Sequence, residues 1–225
     1  MGFYNDWLNN INTYKEKDYI CSFLNSTPQS LDTLLTGKKD DLLIAYQVLK
    51  NTNLEKFIDA IECDSVFASE DIVQFSNLDH AINNVCICCE TESKDLTFSE
   101  LGKLIMHSKQ DGACKKYGEN HSKLAAELSF VILIKNKSYI VKNTALGTFT
   151  IGLEKDEKEE LVKKLAMRNR FIKSLIFHAK NGVISYNDLA GKVLSESTCI
   201  RRKPNVKKLV SLILKDSELL NNVIW

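Results

Sequence analysis

The stretch Ala113-Cys114-Lys115-Lys116-Tyr117-Gly118-Glu119-Asn120-His121-Ser122-Lys123-Leu124-Ala125 gathers side chains suited to a polyanion. Lys115, Lys116 and Lys123 can neutralise phosphates, and Asn120 can pair bidentately with adenine. His121 or Ser122 can donate to a base or a phosphate, and Tyr117 belongs to the same candidate set. The pattern predicts a helix from about Gly118 to Leu128. These residues would then stand near its N-terminal end, where free N–H groups also attract phosphate. A plainer account is a solvated helix start with Asn120 or Ser122 as its cap. The surrounding charge favours DNA contact.

A second basic cluster is Arg201-Arg202-Lys203, followed by Asn205, Lys207 and Lys208. Pro204 suits the first position of a new helix running to about Leu220 through Val206, Leu209, Val210 and Ile213. Two arginines ahead of that helix are well placed for phosphate or guanine contacts, although a solvated charged face explains the run equally well. Lys135 and Lys137 flank Asn136 in the turn between two strand-like runs, and form a third candidate contact.

Catalytic signatures are thin: there is no GxSxG, no phosphate-binding glycine loop and no paired-histidine metal helix. One set remains, Asp79, Glu92 and Lys94, separated by the apolar run Val85-Cys86-Ile87-Cys88-Cys89. If that run were a strand, the two carboxylates could hold Mg²⁺ while the lysine polarised a water or a phosphate. That arrangement needs a sheet of several strands, and too few strand-like runs precede residue 95. The expectation is therefore a chain without a catalytic centre, metal or other cofactor. A magnesium-dependent type II restriction endonuclease is the alternative. The seven cysteines lack a second ligand pair for zinc and read as reduced core thiols.

These residues must be positioned by the elements around them. Leu34, Leu35, Leu42, Leu43, Ile44, Val48 and Leu49 recur at helical spacing, after a turn at 26–30 that offers Ser30 as a cap. From Ser76 the order changes. A helix capped by Ser76 or Asn77 carries Leu78, Ala81, Ile82, Val85 and Cys89. An extended link, Asp95-Leu96-Thr97, leads to a helix from Phe98 to about His107. The helix bearing Lys123 follows a polar turn, and then come the strands Phe130–Ile134 and Ser138–Val141. Helix, short strand, helix, turn, helix, hairpin is the order of a winged helix, a helix-turn-helix whose second helix can lie in the major groove.

A similar beginning recurs. A long helix is expected from Glu157 to Ala179, closed by Asn181-Gly182, then an extended Val183-Ile184 and a helix capped by Ser185 that runs to Leu194. Val223-Ile224-Trp225 reads as the first strand of a wing cut short.

Tyr117–Ala125, Phe130-Val131 and the run Lys137–Gly147 together resemble the winged-helix recognition domains of restriction endonucleases, especially type IIS enzymes, and of related bacterial defence proteins. The likeness covers residues 96–150, and its ending Thr144-Ala145-Leu146-Gly147 is similar to the wing and following turn of that group. It implies sequence-specific recognition of double-stranded DNA within a restriction-modification or related system and does not by itself imply cleavage; a separate catalytic domain or subunit is a candidate partner beside the DNA.

The charge is divided along the chain. Residues 1–95 carry 7 Lys+Arg against 16 Asp+Glu, and residues 96–225 carry 23 against 13, so nets of −9 and +10 lie beneath the overall +1. The basic half points to a nucleic-acid partner. With no secretory signal and no apolar run of about 18 residues, the chain is expected to be cytoplasmic, with neither a membrane nor a small molecule as partner. The expected fold is mainly α with small β-hairpin wings, as tandem winged-helix or helix-turn-helix modules behind an acidic helical domain. The expected boundaries are 1–75, 76–152 and 153–225. A transcription regulator or a protein-interaction scaffold remains open beside the DNA reader.

Overall fold

A computed structural model describes residues 16–26, 39–92, 94–108 and 110–225. The helical expectations at Leu34 and Leu35 and the cap at Ser30 lie outside the described residues. Among the described residues the fold is mainly helical, with one three-stranded antiparallel sheet and one pair of very short strands. Among the described residues, no helix is long and apolar enough to cross a membrane. They fall into two compact units, one drawn from 39–51 and 75–162, the other from 16–26, 52–74 and 163–225. Both units are discontinuous in sequence.

The helices are α1 (Glu16–Leu24), α2 (Lys39–Asn51), α3 (Leu54–Asp59), α4 (Val85–Thr91, entered through a π-helical turn His80–Asn84), α5 (Phe98–Met106), α6 (Asp111–Glu127), α7 (Ala145–Ile151), α8 (Lys155–Ala166), α9 (Arg170–Asn181), α10 (Tyr186–Ala190) and α11 (Glu196–Ile213). The strands are β1 (Leu96–Thr97), β2 (Val131–Lys135), β3 (Tyr139–Asn143), β4 (Ile184–Ser185) and β5 (Val223–Ile224).

In the first unit, local chemistry fixes several element starts. Asn77 Oδ1 accepts from the Asp79 N–H at 3.0 Å ahead of the α4 helix. Thr97 and Glu100 form a reciprocal capping box at α5, with Glu100 Oε2 accepting from Thr97 N at 2.9 Å. The hydrogen bond from Lys94, reinforced by the Thr97 donors, pulls the Glu100 carboxyl down to about 2. β2 and β3 form the expected hairpin, and β1 pairs with β3, giving the order β1-β3-β2. Thr144 Oγ1 donates to the Ser129 carbonyl at 2.7 Å and accepts from Gly147 N at 2.9 Å, starting α7 directly behind the hairpin.

The closest packing in this unit is between α5 and α6. A methyl group at Gly102 would overlap the Cys114 carbonyl, and one at Gly118 would overlap the Phe98 carbonyl and lie 3.0 Å from the Gly102 nitrogen. Backbone meets backbone there, which only glycine allows. Gly118 is thus a crossing point inside a helix that begins at Asp111, seven residues before the expected start.

The second unit packs α1, α3 and α9–α11 around Phe23, Phe57, Phe171 and the fully buried Tyr186. Tyr186 Oη donates to the Cys199 carbonyl at 3.2 Å, satisfying its one polar atom. The expected helix 157–179 is two helices: Asn169 has extended geometry and its Oδ1 accepts from Ile172 N at 3.0 Å, capping α9. The helix capped by Ser185 stops at Ala190 instead of Leu194. α11 starts at Glu196, so Pro204 lies inside it instead of opening it, and it ends at Ile213, short of Leu220. β5 does form, but it pairs directly and in parallel with β4.

Gly118→Ala should lower unfolding stability by about 3 kcal/mol or more, since the methyl has no space. Gly112→Ala, where nothing lies within 4 Å, should be neutral or stabilising by up to about 1 kcal/mol. Denaturant unfolding of the two variants checks this. Equal stabilities would contradict the close crossing.

Candidate nucleic-acid interface

On α6 the buried side of the helix takes two of the expected contact residues. His121 and Ser122 are 1% and 0% exposed. Lys115, Lys116 and Lys123 are exposed, while Tyr117 and Asn120 are half-buried. All of these lie within the helix body, because seven residues precede Gly118, so Asn120 and Ser122 cap nothing.

His121 is held on both ring nitrogens. Nδ1 lies 2.8 Å from the Tyr117 carbonyl oxygen, which can only accept, so Nδ1 carries the hydrogen. Nε2 then accepts from the Asn77 N–H at 3.3 Å. The Tyr117 and His121 rings stack at 4.0 Å, and Tyr117 Oη lies 2.6 Å from His80 Nδ1. The histidine expected to donate to DNA is thus an internal tie between α6 and the turn before α4. Burial, helped by the nearby His80, holds its pKa below the ordinary histidine value against the hydrogen bonds that raise it.

The outward face of α6 is electrically balanced. Glu119 takes Lys116 at 3.1 Å and Lys123 at 2.6 Å, and Lys103 pairs with Asp111. Three acids and three lysines occupy the helix, a net of zero. Lys115 on α6, and Lys135 and Lys137 at the exposed hairpin tip, have no ion-pair partner among the described residues.

In the second unit the basic cluster divides. The Arg202 guanidinium donates to the Ser69 carbonyl at 2.6 Å and the Ile72 carbonyl at 2.7 Å, so it clasps the chain that precedes the first unit's main segment. Burial, with the Arg201 charge beside it, lowers its pKa. Arg201 and Lys208 are exposed, Lys203 and Asn205 half-buried, and Lys207 lies 5.8 Å from the Trp225 ring centre. The cluster lies within the helix, whose first residue Glu196 is five positions before Arg201, so the arginines do not precede a helix N-terminus.

Asp79, Glu92 and Lys94 are not brought to one point. The run between the acids is helical rather than a strand, and its length separates Asp79 from Glu92 by roughly 18–20 Å. Asp79 is bonded to Asn83, and Lys94 pairs with Glu100 at 2.6 Å. Among the described residues, no three His, Cys, Asp or Glu side chains gather to hold a metal ion. Burial pushes the thiols of Cys86 and Cys89 up to about 12, so both are protonated core groups.

Comparison with protein-family models, curated proteins and solved structures finds no match.

Of the candidate residues on α6, Lys115, Lys116 and Lys123 face outward, whereas His121 and Ser122 are turned inward. Glu119, inside the quoted stretch, cancels two of its lysines, and an i, i+3 and i, i+4 pattern around it carried that signal. Nothing local marks Arg202, rather than Arg201, as the one turned inward.

Two outcomes test these placements. Arg202→Met leaves two carbonyls without their donor and should cost about 2–4 kcal/mol, whereas Arg201→Met should stay within about 0.5 kcal/mol, both read by denaturant unfolding. For His121, the fold favours the neutral ring, so its contribution to stability is complete above the unfolded value of about 6.5 and is lost as pH falls below it. A proton NMR titration should place His121 below that value. A midpoint above it would contradict the buried, doubly bonded ring.

Proposed function

We propose that this chain binds double-stranded DNA through a winged-helix module in its first unit and a helix-turn-helix-like module in its second. The observation that carries the reading is the element order of the first unit, α4-β1-α5-α6-β2-β3, with the strands in the order β1-β3-β2. In that arrangement α6 is the helix that enters the major groove, and Lys135 and Lys137 at the hairpin tip reach the adjoining backbone. On α6 the residues left to meet DNA are Lys115, Lys116, Asn120 and Lys123, with Asn120 the one suited to a base edge.

The second unit repeats the beginning of that order, α9-β4-α10-α11, although β5 pairs with β4 in parallel where β3 pairs with β1 antiparallel. The basic excess beyond residue 95 and the resemblance of residues 96–150 to restriction-endonuclease recognition domains support the same reading. The resemblance extends it to the recognition part of a restriction or defence system, with cleavage carried by a separate partner.

Glu119 sets a specific expectation. It is the counter-charge a DNA phosphate must displace from Lys116 and Lys123, so Glu119→Gln should tighten duplex binding about three- to tenfold. Fluorescence anisotropy with a labelled duplex of about 20 base pairs reads it, and the wild-type association constant should fall steeply with salt. Absence of wild-type binding at low salt, or weaker binding by Glu119→Gln, would contradict the proposal.

A further inference from the structure

The two long helices that follow the turns differ in charge more than in length. α6 carries three acids against three lysines, whereas α11 carries only Glu196 against Arg201, Arg202, Lys203, Lys207 and Lys208. With Arg202 spent on the Ser69 and Ile72 carbonyls, four cations remain on α11. None of the four has an ion-pair partner among the described residues.

Their arrangement around the helix follows from its period. Cys199, Val206, Leu209, Val210 and Ile213 are buried and define the inward face. Opposite them, seven residues apart, run Ser197, Pro204 and Ser211. Arg201 and Lys208 flank that line on one side, and Lys207 flanks it on the other, with Lys203 nearer the inward face.

Small side chains down the middle let a helix approach a groove floor closely, and cations on both flanks can reach both phosphate walls. Arg201 and Lys208, about 10 Å apart along the axis, can meet one phosphate wall at two points, and Lys207 can meet the other. The middle line offers no amide or guanidinium to read a base edge. Pro204 also fits here. Its ring faces solvent, so the helix tolerates it, and the stretch stays narrow where a longer side chain would hold the helix away from the groove.

We infer that α11 is the principal anchor of this chain on duplex DNA, gripping the two phosphate walls through Arg201, Lys208 and Lys207 without selecting a base sequence. This rests on the DNA-binding reading above and assigns the affinity within it: α11 supplies the sequence-independent hold, and the charge-balanced α6 supplies little of it. Lys207 lies over the Trp225 ring, which in turn stacks on Tyr186 at 5.9 Å.

The experiment measures affinity of the full chain for two duplexes of about 20 base pairs with unrelated sequences, over a range of salt. Arg201→Glu with Lys208→Glu should weaken binding to both duplexes by the same factor, about 100-fold or more at low salt. The neutral pair Arg201→Gln with Lys208→Gln should reduce the slope of log K against log salt by about two. Both pairs are exposed, so unchanged melting curves report an intact fold. Lys115→Glu with Lys123→Glu should cost less than about tenfold.

Affinity of the Arg201/Lys208 charge-reversal variant within threefold of wild type would overturn the anchor while leaving DNA binding in place. A loss confined to one of the two duplexes would overturn its indifference to sequence. Failure of the wild-type chain to bind either duplex would remove the DNA-binding reading itself.

Discussion

The backbone contact between α5 and α6 is the constraint on which the first unit depends. Gly102 and Gly118 remove the side chains that would hold the helices apart, so the Cys114 and Phe98 carbonyls meet bare Cα positions. That closeness turns the rest of α6. Cys114, His121, Ser122 and Ala125 are carried inward, and Lys115, Lys116 and Lys123 outward. The same need recurs at Gly147, where a methyl would overlap the Phe130 carbonyl as the chain leaves the hairpin. Helix crossing and hairpin are therefore both seated by glycine, and the lysines at 135 and 137 are presented from a rigid base.

The second unit solves a different problem with its charges. Lys173 Nζ donates to the Leu24 carbonyl at 2.8 Å, where α1 ends, and Lys180 Nζ donates to the carbonyls of Ile58, Asp59 and Ile61 at the end of α3. Arg202 does the same for Ser69 and Ile72. Each cation gathers carbonyls at the end of a helical segment, some of which also accept a backbone N–H, and a positive group there suits the helix dipole. Part of the basic excess of the C-terminal half is thus consumed inside the fold, holding pieces of the acidic N-terminal half. A net charge counted along the sequence overstates the charge available to a partner. What remains exposed and unpaired among the described residues includes Arg201, Lys207 and Lys208 on α11, Lys135 and Lys137 at the hairpin tip, and Lys115, Arg170, Lys192 and Lys215 elsewhere.

Legibility tracked how local the determining interaction was. The helix start at Phe98, a cap at Ser76 or Asn77 ahead of α4, the hairpin around Asn136 and the end of α9 before Gly182 were all readable, because a few adjacent residues decide each. The starts of α6 and α11 were not. Their first turns are polar and charged, and on α6 only Cys114 is buried before Gly118, so the apolar period that signals a helix appears late. Pro204 misled because proline usually opens helices, yet its place on the solvent face lets this one continue. The inward turn of His121 and Arg202 depends on Asn77 and on Ser69, far away in sequence, and no spacing announces it.

Two surfaces carry the functional account, the solvent face of α11 and the tip of the β2–β3 hairpin. Hydrogen–deuterium exchange of the intact chain, with and without a saturating duplex, addresses both at once. The account predicts slower exchange in peptides covering Glu196–Ser211 and Lys135–Ser138 when the duplex is present. Unchanged exchange in both, or protection appearing only elsewhere in the chain, would contradict it.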